Sequence, residues 1–385
     1  MRNDLTKYCY KNENTEGWLN HLKVSHYCNS KLTSEVEKNA LCIPDQGKLG
    51  ECFMGGIYTN EGEPVELSFQ RNGFETAKEL IQKTDLSNVK FEDNKVVYLG
   101  QYRVHYGSFL VDSISRLWYT LDDPQNYQYV FLATQTVLGT SLHKSAVDFF
   151  NLLGISESQI TIITEPTRYR EIIIPEEAYT PLKEYHPEFL DIIRKVVQSA
   201  SVEGIKPAEK VYFSRSKFAY KLKSDFGEEF IAELFRCNGF EVIYPEEHSL
   251  AEQIFYVNNC KVFASIGGSC AHHILSLIHI SEPKMILLNR MNGYQFHQWF
   301  LNEMAGVEPI TYVDAYTEPF KKVFKTEVTG PFLYWCNTNV RKFAKDYGLI
   351  IPRYSFWKKA RCMMRYVFYF AKKQVYIMRN RIGKI

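Results

Sequence analysis

Residues 244–277 decide the fold of this chain and read YPEEHSLAEQIFYVNNCKVFASIGGSCAHHILSL. Their pattern predicts an acidic loop, a helix at 250–258, a strand at 262–266, a glycine turn and a further helix at 271–278. Small residues in such a turn let backbone N–H groups approach a ligand, and the N-terminus of the following helix favours an anion. The stretch therefore predicts a phosphate-binding turn, although a Gly-Gly pair after a strand also serves as an ordinary tight connection.

Strands and helices alternate on both sides of this stretch. Downstream of residue 209, the predicted strands are 210–214, 240–244, 262–266, 284–288 and 309–313, with helical patterns between them. Upstream, the predicted strands are 95–100, 129–133, 159–164 and 170–174, with a helix at 145–153. Because such alternation is typical of βαβ units, the chain is predicted to be an α/β protein with two Rossmann-like domains.

The element order of the second half resembles that of glycosyltransferase family 61, whose glycine turn usually reads HGAGL followed by Asn. Here the turn reads GGSCA and is followed by His272 and His273, so Ile266 or Gly267 replaces the family's leading His. The resemblance implies that the donor contacts a strand end, the helix before the turn, and the turn itself. The residues concerned are Arg215, Glu252, Gln253, Gly267, Gly268, Ser269 and Cys270.

A second motif of the same family, NYGHFLLD, is similar to HYGSFLVD at residues 105–112. Apolar residues recur at helical spacing over 109–121, so 105–108 are predicted to form the loop and first turn after a strand, where ligands collect in α/β sheets. The family's Asn is His105 and its His is Ser108, whereas Asp112 matches the family's acidic position. Asp112 and His105 are both candidates for the general base; the alternatives are a helix-dipole role for Asp112 and a core position for His105.

The predicted donor contacts also have simpler structural explanations. Arg215 ends a strand, where a guanidinium can neutralise a diphosphate or form a surface salt bridge. Glu252 can accept hydrogen bonds from ribose hydroxyls or can favour a helix start through the dipole. Cys270, His272 and His273 lack the spacing of zinc ligands, so no metal site is predicted there.

The resemblance implies an inverting, metal-independent glycosyltransferase of the GT-B type, in which two Rossmann-like domains face each other across a cleft. The resemblance favours a UDP-sugar as the donor of a hexosyl or pentosyl group, and it implies an enzyme that needs no cofactor. The implied acceptor is a capsule-like surface polysaccharide or a lipid-linked glycan. The sequence contains no DxD triplet, which argues against the metal-dependent GT-A type. The alternatives are another two-domain Rossmann enzyme with a phosphorylated ligand and a non-catalytic, membrane-associated module of glycan assembly.

Composition argues against several other classes. With 385 residues, 45% hydrophobic and 23% charged, the chain is long enough for two folded domains and does not resemble a disordered protein. Its nine cysteines form no CxxC pair, which argues against a disulfide framework and a zinc finger. No apolar signal-peptide core and no transmembrane window are seen, so a reducing cytoplasm is the predicted compartment.

Residues 353–385 form a basic tail with ten Lys or Arg residues and no Asp or Glu. On a helical wheel its apolar residues share one side, which predicts an interfacial helix on an anionic surface at the inner face of the plasma membrane. The predicted contacts are Trp357, Lys358, Lys359, Arg361, Arg365, Lys372 and Lys373. Packing of the first part of the tail on the protein is an alternative, whereas nucleic-acid binding is disfavoured because no RNP or KH motif is present.

Three regions are therefore predicted. Residues 1–195 form an acceptor domain with an irregular N-terminal part, and residues 205–345 form the nucleotide-sugar-binding domain. Residues 353–385 are the membrane-binding tail.

Overall fold

The computed structural model describes residues 8–11, 25–45, 55–70, 80–82, 84–134, 141–181, 183–218, 224–278, 280–291, 296–320 and 330–382. The chain divides into two compact units. One unit consists of His26–Ser201, and the other combines Met1–Ser25 with Val202–Ile385.

The strands among the described residues are β1 (Cys9–Tyr10), β2 (Ser34–Ile43), β3 (Gly56–Tyr58), β4 (Lys90–Gln101), β5 (Tyr129–Leu132), β6 (Ile160–Ile163), β7 (Thr167–Pro175), β8 (Tyr179–Thr180), β9 (Glu184–Tyr185), β10 (Lys210–Phe213), β11 (Asp225–Phe226), β12 (Glu241–Ile243), β13 (Val262–Ile266), β14 (Lys284–Asn289), β15 (Ile310–Asp314) and β16 (Phe332–Leu333). The longer helices are α1 (Lys144–Leu152), α2 (Pro187–Ser199), α3 (Glu228–Arg236), α4 (Leu250–Asn258), α5 (Phe296–Ala305), α6 (Thr338–Asp346) and α7 (Phe356–Ile382).

The unit His26–Ser201 is built on a mixed sheet with strand order β3-β2-β7-β4-β5-β6. β7, β4, β5 and β6 run parallel to one another, while β2 is antiparallel to both β3 and β7. The buried side chains of these strands are mostly β-branched or aromatic, as expected for strands covered on both faces. The predicted parallel strands at 129–133 and 159–164 and the helix between them are thus confirmed.

The unit Met1–Ser25 with Val202–Ile385 contains an entirely parallel sheet with the order β1-β15-β14-β13-β10-β12. Its last five strands in chain order match the five predicted ones, so the α/β class is confirmed. The sequence analysis placed residues 1–195 in one domain, whereas β1 pairs in register with β15, Cys9 lying opposite Tyr312. A two-residue strand carries too little periodicity to be recognised before its partner is known.

Two segments near the predicted sites are not the regular helices that their periodicity suggested. Residues Ser269–Leu277 after the glycine turn form a run of 3₁₀ turns. Residues 109–121, predicted as one helix, form a π-helical turn at Phe109–Ser113 and then a 3₁₀ turn at Leu117–Thr120. Both segments lie next to buried polar side chains, and such contacts can override a helical pattern.

The basic tail is a long helix, α7, that packs on the parallel-sheet unit along one face. Cys362, Tyr366 and Phe370, spaced four residues apart, are buried against a cluster that includes Phe226 and Phe230. A different face of α7 exposes apolar side chains, including Trp357 at 79% and Phe368 at 63%. Among the described residues, no helix combines the length and apolar character needed to cross a bilayer.

Candidate functional site

Three loops of the parallel-sheet unit leave the same edge of the sheet. β10 pairs in parallel with β13, and β13 pairs in parallel with β14, so their carboxyl ends are neighbours. Arg215 follows β10, the Gly267-Gly268 turn follows β13, and Arg290 follows β14. This edge is where open α/β sheets bind ligands.

The glycine turn brings the two arginines together. Gly268 has φ +128°, a conformation that residues with a side chain rarely adopt. A Cβ atom built on Gly268 would lie 3.0 Å from Arg215 Nη1 and 3.4 Å from Arg290 Nη1. Both guanidinium groups therefore lie against the backbone of the turn, and the Gly267 N–H fixes the turn by donating to the Leu288 carbonyl oxygen at 2.9 Å.

The two guanidinium groups have donors that the described protein groups do not use. Arg215 is 8% exposed, and its Nη2 lies 4.0 Å from Asp225 Oδ2. Arg290 is partly buried, with its Cζ 5.0 Å from the centroid of the Phe332 ring. Within the described part of the chain, Arg215 Nη1 and Arg290 Nε are buried and have no hydrogen-bond partner. Because an unpaired buried donor is costly, these atoms point to an anionic ligand that would accept from both.

The electrostatics of the two arginines differ. Burial lowers the pKa of Arg290, and the positive charge of Arg215 lowers it further, against the raising effects of Tyr334 and Asp225. Burial also acts to lower the pKa of Arg215, but Cys270, Asp225, Tyr334 and Glu228 together leave this pKa raised. Arg290 is thus the less compensated cation, and an anion bound at the turn would stabilise it most.

Two acidic side chains near Arg215, Asp225 and Glu228, are held by hydrogen bonds. Tyr334 Oη donates to Asp225 Oδ1 at 2.7 Å, which fixes the carboxylate whose Oδ2 lies 4.0 Å from Arg215 Nη2. Glu228 is 1% exposed and accepts hydrogen bonds from Tyr212 Oη at 2.6 Å and from Ser214 Oγ at 3.0 Å. Burial raises the pKa of Glu228 to about 7, although these hydrogen bonds act in the opposite direction.

Glu228→Gln should flatten the pH dependence of stability. The folded-state pKa of Glu228, about 7, lies above its ordinary value of 4.5, so the folded protein holds this proton more tightly than the unfolded chain does. The resulting stabilisation is complete below the ordinary pKa and is lost as the pH rises through the folded pKa. Thermal unfolding at a series of pH values should show the wild-type Tm falling more than that of the variant between about pH 5 and pH 8. Glu229→Gln, which changes an exposed neighbour, is the control, and parallel curves for Glu228→Gln and the wild type would contradict the assignment.

Glu252 and Gln253, predicted to contact the donor, are engaged in local structure. Glu252 Oε2 accepts from the Ser249 N–H at 2.6 Å while Ser249 Oγ accepts from the Glu252 N–H, which is a capping box at the start of α4. Gln253 Nε2 donates to the carbonyl oxygens of Pro245 and His248 at 2.8 and 3.0 Å. These contacts favour the helix-start explanation for Glu252, and a donor contact of either residue stays a prediction.

Of the residues that follow the glycines, Cys270 interacts with Arg215, whereas His273 packs against β10. Burial raises the pKa of the Cys270 thiol, and the positive charge of Arg215 opposes this shift. Ser269 begins the 3₁₀ run after the turn. His273 is buried, and its ring lies edge-on to Phe213 at 5.3 Å between centroids. Burial lowers the pKa of His273 to about 4, so this residue is a neutral, packed histidine.

His105 and Asp112, the candidate bases, lie on the short helical segment that begins after β4 in the unit His26–Ser201. His105 is exposed at the start of the turn, and its carbonyl oxygen accepts from the Phe109 N–H. Asp112 is 7% exposed, with Oδ2 3.6 Å from Arg103 Nε. The carbonyl oxygen of Asp112 accepts from Gln70 Nε2 at 3.0 Å. The structure thus places an exposed imidazole and a buried, ion-paired carboxylate within two turns of each other.

Arg116 explains why this segment departs from a regular helix. The sequence pattern put Asp112, Ser113 and Arg116 outside the apolar face, yet all three are buried. The Arg116 guanidinium donates to the carbonyl oxygens of Pro175 and Leu67 and pairs with Glu177 at 3.0 Å. A buried guanidinium with this many partners fixes the backbone more strongly than periodicity does.

The parallel-sheet unit also contains a cavity of about 350 Å³. Its lining includes Ser216, next to Arg215 in the chain, and Tyr244, which follows β12. Tyr354 and Lys358, at the start of the tail, also line it. Pockets of this size hold small ligands or parts of larger ones.

The predicted membrane-binding residues divide into two groups. Trp357, Lys358, Arg361 and Lys372 are exposed. Lys359 Nζ lies 5.9 Å from the Trp335 ring, Arg365 Cζ lies 5.7 Å from the Phe226 ring, and Lys373 Nζ donates to the Gly330 carbonyl oxygen at 2.6 Å. Basic residues of the second group therefore contact the protein itself.

Arg290 is the residue of the candidate site that the sequence analysis did not single out. It follows a predicted strand, as Arg215 does, and this position was the available signal. Only the pairing of β13 with β14 shows that both arginines reach the same turn.

Two arginines at a glycine turn of a parallel α/β sheet are chemically suited to the phosphate groups of a ligand. The family model described as Glycosyltransferase 61 matches residues 106–279. This match extends from the turn that carries Asp112 to the glycine turn and supports a glycosyltransferase of family 61. A comparison with curated proteins finds no match.

Proposed function

We propose that this protein is an inverting, metal-independent glycosyltransferase of GT-B architecture. It transfers a hexosyl or pentosyl group from a nucleotide-sugar donor, a UDP-sugar, to a lipid-linked glycan or a growing surface polysaccharide such as a capsule. The observation that carries this proposal is the pair of guanidinium groups at the Gly267-Gly268 turn, with buried donors that the described protein groups leave unused. The family match to residues 106–279 includes Arg215 and the turn.

The arginine pair suits the departure of a nucleoside diphosphate. Breaking the bond between the sugar and the diphosphate builds negative charge on the phosphate oxygens. Arg215 and Arg290 can donate charge-assisted hydrogen bonds to these oxygens, and backbone N–H groups of the turn can add neutral ones. In our proposal these groups neutralise the leaving group, and the nucleoside occupies the cavity whose lining includes Tyr244 and Ser216, the residue after Arg215.

Asp112 is proposed as the general base, with His105 as the alternative. The acceptor hydroxyl must lose a proton as it attacks the anomeric carbon from the face opposite the leaving group. The ion pair with Arg103 orients the Asp112 carboxylate, which supports the first choice, whereas exposure of His105 supports the second.

Asp112→Asn is expected to lower the rate of UDP release from a UDP-sugar in the presence of acceptor by about 10²- to 10⁴-fold, because the amide cannot take the proton. Donor affinity should change little, since the proposed diphosphate contacts come from Arg215, Arg290 and the glycine turn. The measurement is a coupled assay of UDP release with membrane extracts as acceptor source, alongside His105→Ala. Asp122→Asn, at an exposed position of the same unit, is the control. Full activity in both Asp112→Asn and His105→Ala would instead support a non-catalytic module.

The tail supports a position at the inner face of the plasma membrane. α7 exposes Trp357, Met364 and Phe368 together with Lys358 and Arg361. Apolar and basic side chains on one exposed surface are typical of helices that lie on anionic bilayers. Binding there would keep the enzyme close to lipid-borne acceptors and so raise their local concentration.

A further inference from the structure

A second cluster of chemically active side chains lies in the unit His26–Ser201. The backbone of residues 26–28 pairs with β9, because the Cys28 N–H donates to the Tyr185 carbonyl oxygen at 2.8 Å and the Tyr185 N–H donates to the His26 carbonyl oxygen at 3.0 Å. Tyr27 therefore lies opposite Tyr185. Glu184 and His186 flank Tyr185, so their side chains leave the same face of the strand, next to Cys28.

Three ligand atoms of different kinds converge at this point. One atom each from Cys28, Glu184 and His186, namely a thiol sulfur, a carboxylate oxygen and a ring nitrogen, lie within 4.8 Å of one another. His186 is buried, whereas Cys28 and Glu184 are partly exposed. About 3.3 to 3.8 Å separates ligand atoms that share one tetrahedral zinc ion, so small side-chain rotations would bring the three into place.

The surroundings of His186 favour a ligand role. Its Nδ1 lies 3.2 Å from the Ser30 carbonyl oxygen. A carbonyl oxygen only accepts, so Nδ1 carries the proton in this hydrogen bond and Nε2 carries the lone pair. Histidine ligands of metals are commonly oriented by such a contact on the other ring nitrogen.

The donor set selects the kind of metal. Thiolate and imidazole ligands are typical of zinc, whereas magnesium and calcium prefer sites made of oxygen atoms. One cation competes for the site, because Lys183 Nζ lies 2.6 Å from Glu184 Oε1. The side chain of Lys183 is largely exposed, so moving its ammonium group away costs little.

We propose that Cys28, Glu184 and His186 bind a zinc ion that ties residues 26–28 to the start of α2. This site differs from the transferase chemistry, whose groups include neither Cys28 nor His186, and a water would take the fourth position of a tetrahedral ion. Zinc would connect segments that are far apart in the sequence, and metal binding of this kind stabilises the folded state.

The test uses the full chain, stripped with a chelator and then titrated with zinc or cobalt. We expect one zinc ion per chain by elemental analysis, a rise in Tm with zinc, and a thiolate-to-cobalt charge-transfer band in the near ultraviolet. Cys28→Ser and His186→Asn should lose the band and the rise in Tm. Cys237→Ser, which removes an exposed cysteine of the other unit, should retain both.

Lys183→Ala keeps the test decisive if the ligand variants fold poorly. Removing the competing ammonium should tighten zinc binding several-fold, whereas a mere hydrogen-bonded cluster would gain no metal affinity. Substoichiometric zinc in the wild type together with no cobalt band would overturn the proposal, as would a cobalt band of full intensity in Cys28→Ser.

Discussion

Arg290→Ala is expected to reduce strongly the rise in Tm that a fixed UDP concentration gives the protein, while leaving the ligand-free protein at least as stable as the wild type. Arg290 has no salt-bridge partner among the described residues, lies near Arg215 and has a buried Nε donor without a partner. Removing it relieves an uncompensated buried charge at the cost of a contact with the Phe332 ring worth about 1 kcal/mol. Loss of charge-assisted hydrogen bonds to phosphate should weaken UDP binding by about 10- to 100-fold.

Arg215→Ala provides the comparison. It should weaken UDP binding by a similar factor, but it should also lower the Tm of the ligand-free protein, because Asp225 then loses the guanidinium 4.0 Å away. Arg341→Ala, at an exposed position of the same unit, should change neither quantity. The proposal for the arginine pair fails if Arg290→Ala lowers the Tm of the ligand-free protein and retains the full stabilisation by UDP, since Arg290 would then be a structural residue.

Replacing both Trp357 and Phe368 by Ser is expected to reduce binding to anionic vesicles by about 10- to 100-fold or more, because two exposed aromatic side chains no longer enter the bilayer surface. The Tm should stay close to that of the wild type, since neither side chain is buried. Phe370→Ser should lower the Tm and leave vesicle binding unchanged, because Phe370 is 4% exposed and packs in the core with Tyr366. Its Tm should fall by several degrees while the folded fraction binds vesicles normally.

Vesicle sedimentation at low and high salt measures this binding for the full chain. High salt should weaken it, because Lys358, Arg361 and Lys372 contribute through attraction to anionic lipids. Truncation after Pro352 is a poor substitute, since it would uncover the apolar cluster that contains Phe226 and Phe230. Sedimentation of the Trp357 and Phe368 double variant at the wild-type level would contradict membrane binding through this face.

The parallel-sheet unit could be predicted well from sequence because its strands are nearly continuous apolar runs between helical patterns. The strand and the turn around Gly267-Gly268 followed directly from this pattern, as did the strand end at Arg215. β1 could not be predicted, since its two residues form a strand only by pairing with β15. The prediction of a regular helix at 109–121 was wrong, because buried Arg116 donates hydrogen bonds to distant carbonyl oxygens and these contacts shape the segment.

Only the part of the candidate site that lies within one local sequence pattern could be predicted. Arg215 and the turn are close in the sequence pattern, whereas Arg290 joins them only through strand pairing. The local role of Glu252, by contrast, has a signal in the sequence, because Ser249 and Glu252 have the spacing of a capping box. The cluster of Cys28, Glu184 and His186 spans most of one unit and carries no local motif, so only the folded structure brings it together.

A crystal structure of the protein with bound UDP tests the arginine site most directly. We expect the diphosphate at the Gly267-Gly268 turn, with phosphate oxygens about 3 Å from Arg215 Nη1 and Arg290 Nε. UDP bound at another place, with both guanidinium groups turned to protein acceptors, would contradict the site and the transferase chemistry built on it.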